Sequence, residues 1–345
     1  MSLKSEILDQ PAVLRRLLAT RMDDVRRMAQ EIARRKVDFV LLAARGTSDN
    51  AGLYAKYVWG IRNRLPVALA APSMFSVYRS PPLLEHALVV GISQSGQSPD
   101  IVSVVQEGRR QGAPTLAITD DPSSPLARTA DLVIFTDTGT ERSVAATKTY
   151  TAQLMAIAML SIGLQPVGEG QRELELVPDL VRQALRLDAI VEQTAARYRE
   201  MTKCVVLGRG FNYATAHEWS LKLKELTYVV AAPYSSADFL HGPVALMDRG
   251  FPVLAVAPSG AALPELLPIL KELVLSREVD LLIISDDAEA LALADAPLAI
   301  PAGVPEWLSP FVAIGPGQLF CHHLAALRGL DVEHPRGLQK VTKTW

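Results

Sequence analysis

The sequence predicts an α/β protein of two tandem domains, each a doubly wound parallel sheet flanked by helices. Three observations carry this. Short continuous apolar runs alternate with stretches of helical periodicity along nearly the whole chain, the pattern of strands covered on both faces. The pattern also repeats: Gly46 and Gly210, each preceded by Arg, stand 164 residues apart, and the same offset carries Ser95-Gly96 to Ser259-Gly260 and Ala130-Asp131 to Ala294-Asp295. ITDD (118–121) returns as ISDD (284–287), two residues later than that offset. Finally, 345 residues, 49% hydrophobic and 21% charged, are enough to bury two cores.

Taken in order, residues 1–35 form an N-terminal helical segment. Its stretch LRRLLATRMDDVRRMAQEIARR is amphipathic, with a charged outer face suited to packing or an oligomer surface. The first domain, 36–165, holds the strands FVLLAA, HALVVGI, PTLAITD and DLVIF. A helical linker covers 166–199. The second domain, 200–330, holds CVVLG, FPVLAVA, DLLIIS and APLAI, and residues 331–345 form a tail. The net charge of -2 leaves no footprint of a nucleic-acid partner. No apolar run reaches the roughly 18 residues of a membrane span, and the first residues do not read as a secretory leader. Two cysteines, Cys204 and Cys321, make no disulfide or zinc framework and fit a reducing cytoplasm.

Three hydroxyl-rich turns each follow a strand and open a helix: AARGTSDN (43–50), GISQSGQSPD (91–100) and TGTERSVAATKTYTAQL (138–154). Helix starts present unpaired N–H groups that suit an anion, small residues admit a phosphate, and hydroxyls add donors. None is a dinucleotide or nucleoside-triphosphate loop. The plain alternative for the second is a strand-to-helix turn in which Ser98 merely caps a helix.

These turns resemble those of the first domain of the double sugar isomerase (SIS) family, which includes the isomerase half of glucosamine-6-phosphate synthase and stand-alone glucosamine-6-phosphate deaminases. LGRGFNYATAHEWSLKLKELTY, FLHGPVALM and DVEHPRGLQKVT continue the resemblance from about residue 40 to the end of the sequence. It implies two tandem flavodoxin-like SIS domains. It implies that Thr47, Ser48, Ser93, Gln94, Ser95 and Ser98 bind the phosphate and hydroxyls of a phosphorylated sugar, and that the backbone around Val144 lines the pocket.

For catalysis it matches Glu225 to the proton-transfer carboxylate, Lys222 to its neighbour, His241 to the ring-opening acid–base and Lys340 to the Schiff-base amine. His241 would be contributed across a homodimer interface. On a helix Lys222 and Glu225 share a face. From pattern alone they are a salt-bridged surface pair, His241 is a turn residue and Lys340 is a solvated tail lysine. His322 and His323 read as structural, and no metal or other cofactor is implied.

Departures from the resemblance surround the same motifs: Arg45 stands where the synthase usually has a small residue or cysteine, Gln97 and Asp238 replace glutamates, and Leu240 replaces a lysine. The resemblance does not extend to the synthase's glutaminase domain with its N-terminal cysteine, so glutamine-fed synthesis by this chain alone is not expected. The expected activity is conversion of glucosamine 6-phosphate and water to fructose 6-phosphate and ammonia, or its reverse. The alternatives are another aldose–ketose or fructosamine phosphate, or a non-catalytic sugar-phosphate sensor.

Overall fold

The computed structural model describes residues 2–165, 170–342 and 344. They fall into two compact units. One holds the residues up to Pro11, Arg142–Thr147 and Leu176–Leu338; the other holds Ala12–Glu141, Lys148–Glu175 and the residues from Gln339 on.

The chain opens with α1 (Leu3–Ala33), which begins well before the amphipathic stretch that announces it and runs through Pro11. Proline offers no N–H to the carbonyl four residues back. Gln10 makes up the loss: its Nε2 donates to the Ile7 carbonyl at 2.9 Å and to Gln318 Oε1 at 2.7 Å.

The first half then reads β1 (Phe39–Ala43), α2 (Thr47–Asn63), β2 (Val67–Leu69), α3 (Ser73–Ser76), β3 (Ala87–Ile92), α4 (Pro99–Arg110), β4 (Thr115–Thr119), α5 (Pro125–Thr129), β5 (Leu132–Phe135) and α6 (Lys148–Gly163). All its strand pairs are parallel, in the order β2-β1-β3-β4-β5. Every residue of β3 and β4 is buried, as a strand covered on both faces requires. α6 is buried almost all round, which marks it as a core helix rather than a surface one. α2 is tied to it where Trp59 Nε1 donates to the Ile157 carbonyl (3.1 Å) and Asn63 Nδ2 to the Ser161 carbonyl (2.8 Å).

Two helices, α7 (Gln171–Ala184) and α8 (Asp188–Arg197), make up the described part of the expected linker; its residues 166–169 lie outside the described ones. The second half repeats the first: β6 (Lys203–Gly208), α9 (Asn212–Thr227), β7 (Val230–Ser235), α10 (Ser236–Leu240), β8 (Pro252–Val256), α11 (Leu263–Arg277), β9 (Asp280–Ser285), α12 (Ala288–Leu293), β10 (Ala296–Ala299) and α13 (Ser309–Leu327). Its sheet runs β10-β9-β8-β6-β7, again all parallel and again the flavodoxin-like order.

The repeat read from the sequence is structural as well. Asp131 accepts from the backbone N–H of Thr115 (3.2 Å), at the start of β4, and Asp295 accepts from that of Leu281 (3.0 Å), in β9. Each sheet has one strand more than the sequence reading gave, and in both halves it is the edge strand next to the first strand of the half. β2 is three residues long; β7 contains Pro233 and is mostly half-exposed. An edge strand buries too little to need a continuous apolar run and tolerates proline. Among the described residues no helix is long and apolar enough to cross a membrane.

Candidate functional site

In the order 2-1-3-4-5 the strand direction of travel reverses between β1 and β3, the place where ligands bind in open α/β sheets. The turns after these two strands are the first two hydroxyl-rich segments.

β3 delivers the chain into Ser93-Gln94-Ser95-Gly96. Ser93 Oγ accepts from the Gly96 N–H (3.1 Å), so this hydroxyl shapes the turn itself. The turn is held from behind: the Gln94 carbonyl accepts from the Asp120 N–H (3.0 Å) and from Thr119 Oγ1 (3.2 Å), and the Gly96 carbonyl from the Leu126 N–H (3.1 Å). Gly96 has φ +59°, and a Cβ there would lie 2.2 Å from Ser124 Oγ, so neither conformation nor space admits a side chain.

Ser98 occupies the cap position of α4 with extended backbone but makes no capping bond; its hydroxyl lies 3.5 Å from the Thr342 carbonyl instead. In the other turn Gly46 (φ +55°) precedes Thr47 and Ser48. Ser48 is buried, and its Oγ accepts from Gln153 Nε2 of α6 at 2.9 Å. Thr47, Gln94, Ser95 and Ser98 are thus the partly open members of the expected set, whereas Ser48 and Ser93 are built into the frame.

The third segment enters through Asp120, which accepts from the Thr138 N–H and Oγ1 (both 2.7 Å) and from Thr136 Oγ1 (3.1 Å). Burial holds the Asp120 carboxyl above its usual range despite these donors. Beyond it, Glu141 has a fully buried carboxylate that accepts from the Thr149 N–H (3.2 Å) and Oγ1 (2.8 Å) at the start of α6. Lys340 Nζ reaches this carboxylate at 2.9 Å with its side chain about a quarter exposed. The cradle turns and the tail lysine therefore belong to one unit. Glu141 lies inside a motif the sequence reading quoted, but nothing in an isolated Thr-Glu-Arg says which carboxylate is buried.

In the other unit, α9 carries Lys222 and Glu225. Lys222 is 1% exposed, its Nζ touches Glu225 Oε2, and Glu218, fully buried one turn earlier, lies 3.5 Å away. The surface-pair alternative therefore fails: this is an ammonium buried between two carboxylates. Sequence reasoning missed Glu218; its one signal is the four-residue spacing from Lys222. His241 ends α10 exposed, its N–H on the Asp238 carbonyl at 3.0 Å. Val144 is half-buried in the segment Arg142–Thr147, which hangs on Glu6 through the Arg142 N–H (2.5 Å) and the Ser143 N–H (3.3 Å).

The second-half counterpart of the cradle has a different content. Gly210 repeats the left-handed conformation of Gly46 (φ +59°). At Ser259-Gly260, however, the Glu306 carboxylate accepts from the N–H groups of Ala261 (2.8 Å) and Ala262 (3.1 Å), just ahead of α11. A Cβ on Gly260 would lie 2.3 Å from Glu306 Cδ, so the glycine makes room for that carboxylate.

Among the described residues no group of three or more histidine, cysteine or acidic side chains is placed to hold a metal. His323 is buried, with Nε2 2.7 Å from Asp188 Oδ1. Both cysteines are buried, and burial pushes the Cys204 thiol up to about 12.

Two flavodoxin-like sheets with hydroxyl-rich turns at the switch point define a class, and the chain falls in it. The SIS domain model matches residues 35–163 and 198–328, and the chain belongs to the SIS-domain family. It is 34% identical over 345 residues to the isomerizing glutamine–fructose-6-phosphate aminotransferase of Thermococcus kodakarensis, covering 97% of this chain and 56% of that protein. The chain thus spans about half the length of the curated relatives it matches. The C-terminal domain of the glucosamine-fructose-6-phosphate aminotransferase from Francisella tularensis superposes with a TM-score of 0.87 at 30% identity, covering 96% of both chains. A glucosamine-6-phosphate deaminase from Thermotoga maritima shares the fold, with a TM-score of 0.80 at 21% identity over 99% of this chain and 100% of its own.

Proposed function

We propose that the chain is an amino-sugar phosphate isomerase/deaminase, taking glucosamine 6-phosphate and water to fructose 6-phosphate and ammonia, or catalysing the reverse. The observation that carries the reading is the strap from Gln339 on: its Lys340 amine lies against Glu141 while its Thr342 carbonyl meets Ser98 of the serine turn. A primary amine held in the same unit as an anion cradle suits chemistry on the carbonyl end of a phosphorylated sugar.

In this reading Thr47, Gln94, Ser95 and Ser98, with the starts of α2 and α4, hold the phosphate and hydroxyls, Ser48 and Ser93 keep those turns in shape, and the backbone at Val144 borders the sugar. His241 opens the ring by moving a proton between O1 and O5. Glu225 takes the proton from C2 and returns it to C1, leaving a C2 imine; Lys222 orients and balances that carboxylate. Lys340 adds to C2, ammonia leaves, and water releases the ketone and restores the amine. The domains are 36–165 and 200–330, with 331–345 closing the site; Lys343 and Trp345 of that tail lie outside the described residues. The protein is a cytoplasmic homodimer in which His241 serves the neighbouring subunit. An exposed His241 flanked by Leu240 (45% exposed), with Leu246 (57%) close by in sequence, supports this.

The test is release of ammonia and fructose 6-phosphate from glucosamine 6-phosphate by the purified protein and by Glu225→Gln. The reading expects turnover in the first and a loss of about 10²–10⁴-fold in the second. Turnover of galactosamine or fructosamine phosphates alone would reassign the substrate. Sugar-phosphate binding without any turnover would make the chain a sensor.

A further inference from the structure

Arg45 is the departure that the functional reading leaves unused. It closes the run after β1, immediately before Gly46-Thr47-Ser48, and is half-exposed. Its Nε donates to Asp100 Oδ2 at 3.0 Å. Asp100 is fully buried in the first turn of α4, two residues beyond Ser98. The same oxygen, Oδ2, accepts from Thr344 Oγ1 at 2.8 Å, and the Asp100 N–H points at the Thr344 carbonyl at 3.3 Å. Oδ1 is used locally, accepting from the Ile101 N–H at 2.9 Å.

An exposed Arg–Asp pair would carry little meaning, because solvent screens it. Here the carboxylate has no exposure at all, so its counter-charge, the guanidinium, and its hydroxyl donor, Thr344, decide whether it is tolerated. The strap is thereby held at both ends: Lys340 on Glu141, Thr344 on Asp100. Four residue steps separate these anchors, at most ~14 Å of extended chain, so the two lie on one short segment.

We propose that Arg45 is a positioning residue. Together with Asp100 and Thr344 it latches the strap onto the start of the phosphate-turn helix, and so sets where the Lys340 amine stands. This rests on the reading of Lys340 as the amine that adds to the ketose.

The variants are Arg45→Met, which keeps the apolar stem, Arg45→Lys, which keeps the charge without the planar fork, and Thr344→Val, which opens the latch from the other side. Hydrogen exchange of the strap amides is read in the ligand-free protein. Borohydride trapping of a Lys340 adduct and kinetic constants are read with fructose 6-phosphate and glucosamine 6-phosphate. The latch predicts strap exchange faster by about tenfold or more in Arg45→Met and Thr344→Val, since each loses a charge-assisted bond to a buried carboxylate. It predicts lower kcat and slower trapping with KM little changed, partial recovery in Arg45→Lys, and a double variant no worse than the worse single one.

Unchanged strap exchange in Arg45→Met and Thr344→Val overturns the proposal. So does a rise in KM alone for Arg45→Met, which would make Arg45 a phosphate ligand. If the wild type traps no adduct while both variants loosen the strap, the reading of Lys340 fails and the latch stands on its exchange data.

Discussion

Gly96→Ala tests the construction of the serine turn in one substitution. The position has φ +59°, and an L side chain held in that region costs about 1–2 kcal/mol. A Cβ would also lie 2.2 Å from Ser124 Oγ and 2.5 Å from Ser124 Cβ, and overpacking of this kind costs about 1–3 kcal/mol. Ser124 is not free to retreat, because its hydroxyl caps α5 by accepting from the Ala127 N–H at 3.2 Å.

Gly112 supplies the control: it is also left-handed, at φ +80°, but has nothing within 4 Å of its missing Cβ. The two alanine variants share the backbone term and the unfolded-state term, so their difference isolates the clash. Gly96→Ala should be the less stable by about 1–3 kcal/mol, or roughly 2–12 °C in Tm for units of this size. Urea titration followed by fluorescence measures the first figure and calorimetry the second. The double variant Gly96→Ala/Ser124→Gly should recover most of the clash. Equal stabilities for Gly96→Ala and Gly112→Ala would refute the claim that the turn is packed from behind.

Four further outcomes are expected. Lys222→Met, measured by denaturant unfolding, should cost about 3–5 kcal/mol, because it leaves the fully buried Glu218 carboxylate without its ammonium. Burial holds the Asp120 carboxyl above its ordinary value of 3.8, so its contribution to stability is complete below that value and is lost as pH rises through the folded one. Wild type should therefore lose stability relative to Asp120→Asn as pH rises above 3.8. Arg328 donates to the carbonyls of Arg199 (2.7 Å), Thr227 (3.1 Å) and Tyr198 (3.3 Å) and also to that of Met201; Arg328→Ala should cost ~2–3 kcal/mol by chemical denaturation. Glu306→Ala should lower Tm by an amount equivalent to about 1–2 kcal/mol, the scale of a lost cap at α11, and Glu306→Gln by less.

Much of this architecture was legible because the central strands must be apolar throughout: FVLLAA, HALVVGI and DLLIIS can be little else. β2 and β7 were not legible, since an edge strand needs neither length nor continuous burial, and Pro233 argues against a strand anywhere else. The duplication was visible at Gly46 and Gly210 because a left-handed turn tolerates few other residues. In the candidate site, the hydroxyls of the turns could be read, but their division into frame and opening could not, because Ser48 and Thr47 are adjacent and differ only in which way the helix turns them. The buried acids are the larger gap. Glu141, Asp100 and Glu218 look in sequence like any solvated carboxylate, and only tertiary packing removes them from water. For the same reason the pattern alone makes Lys222 a surface residue.

Glu306 gives the duplicated fold an asymmetry of a thermodynamic kind. A carboxylate tethered to the same chain is present at its two N–H donors at an effective concentration that dilution cannot lower. A free anion meets that occupant afresh at every encounter, whereas the donors of the serine turn and the start of α4 face only neutral hydroxyls and carbonyls, apart from the Ile101 N–H on Asp100. Two copies of one fold thus offer solutes very unequal hospitality. In the second copy the chain itself fills the place with Glu306, and the same half carries α9 with its buried lysine.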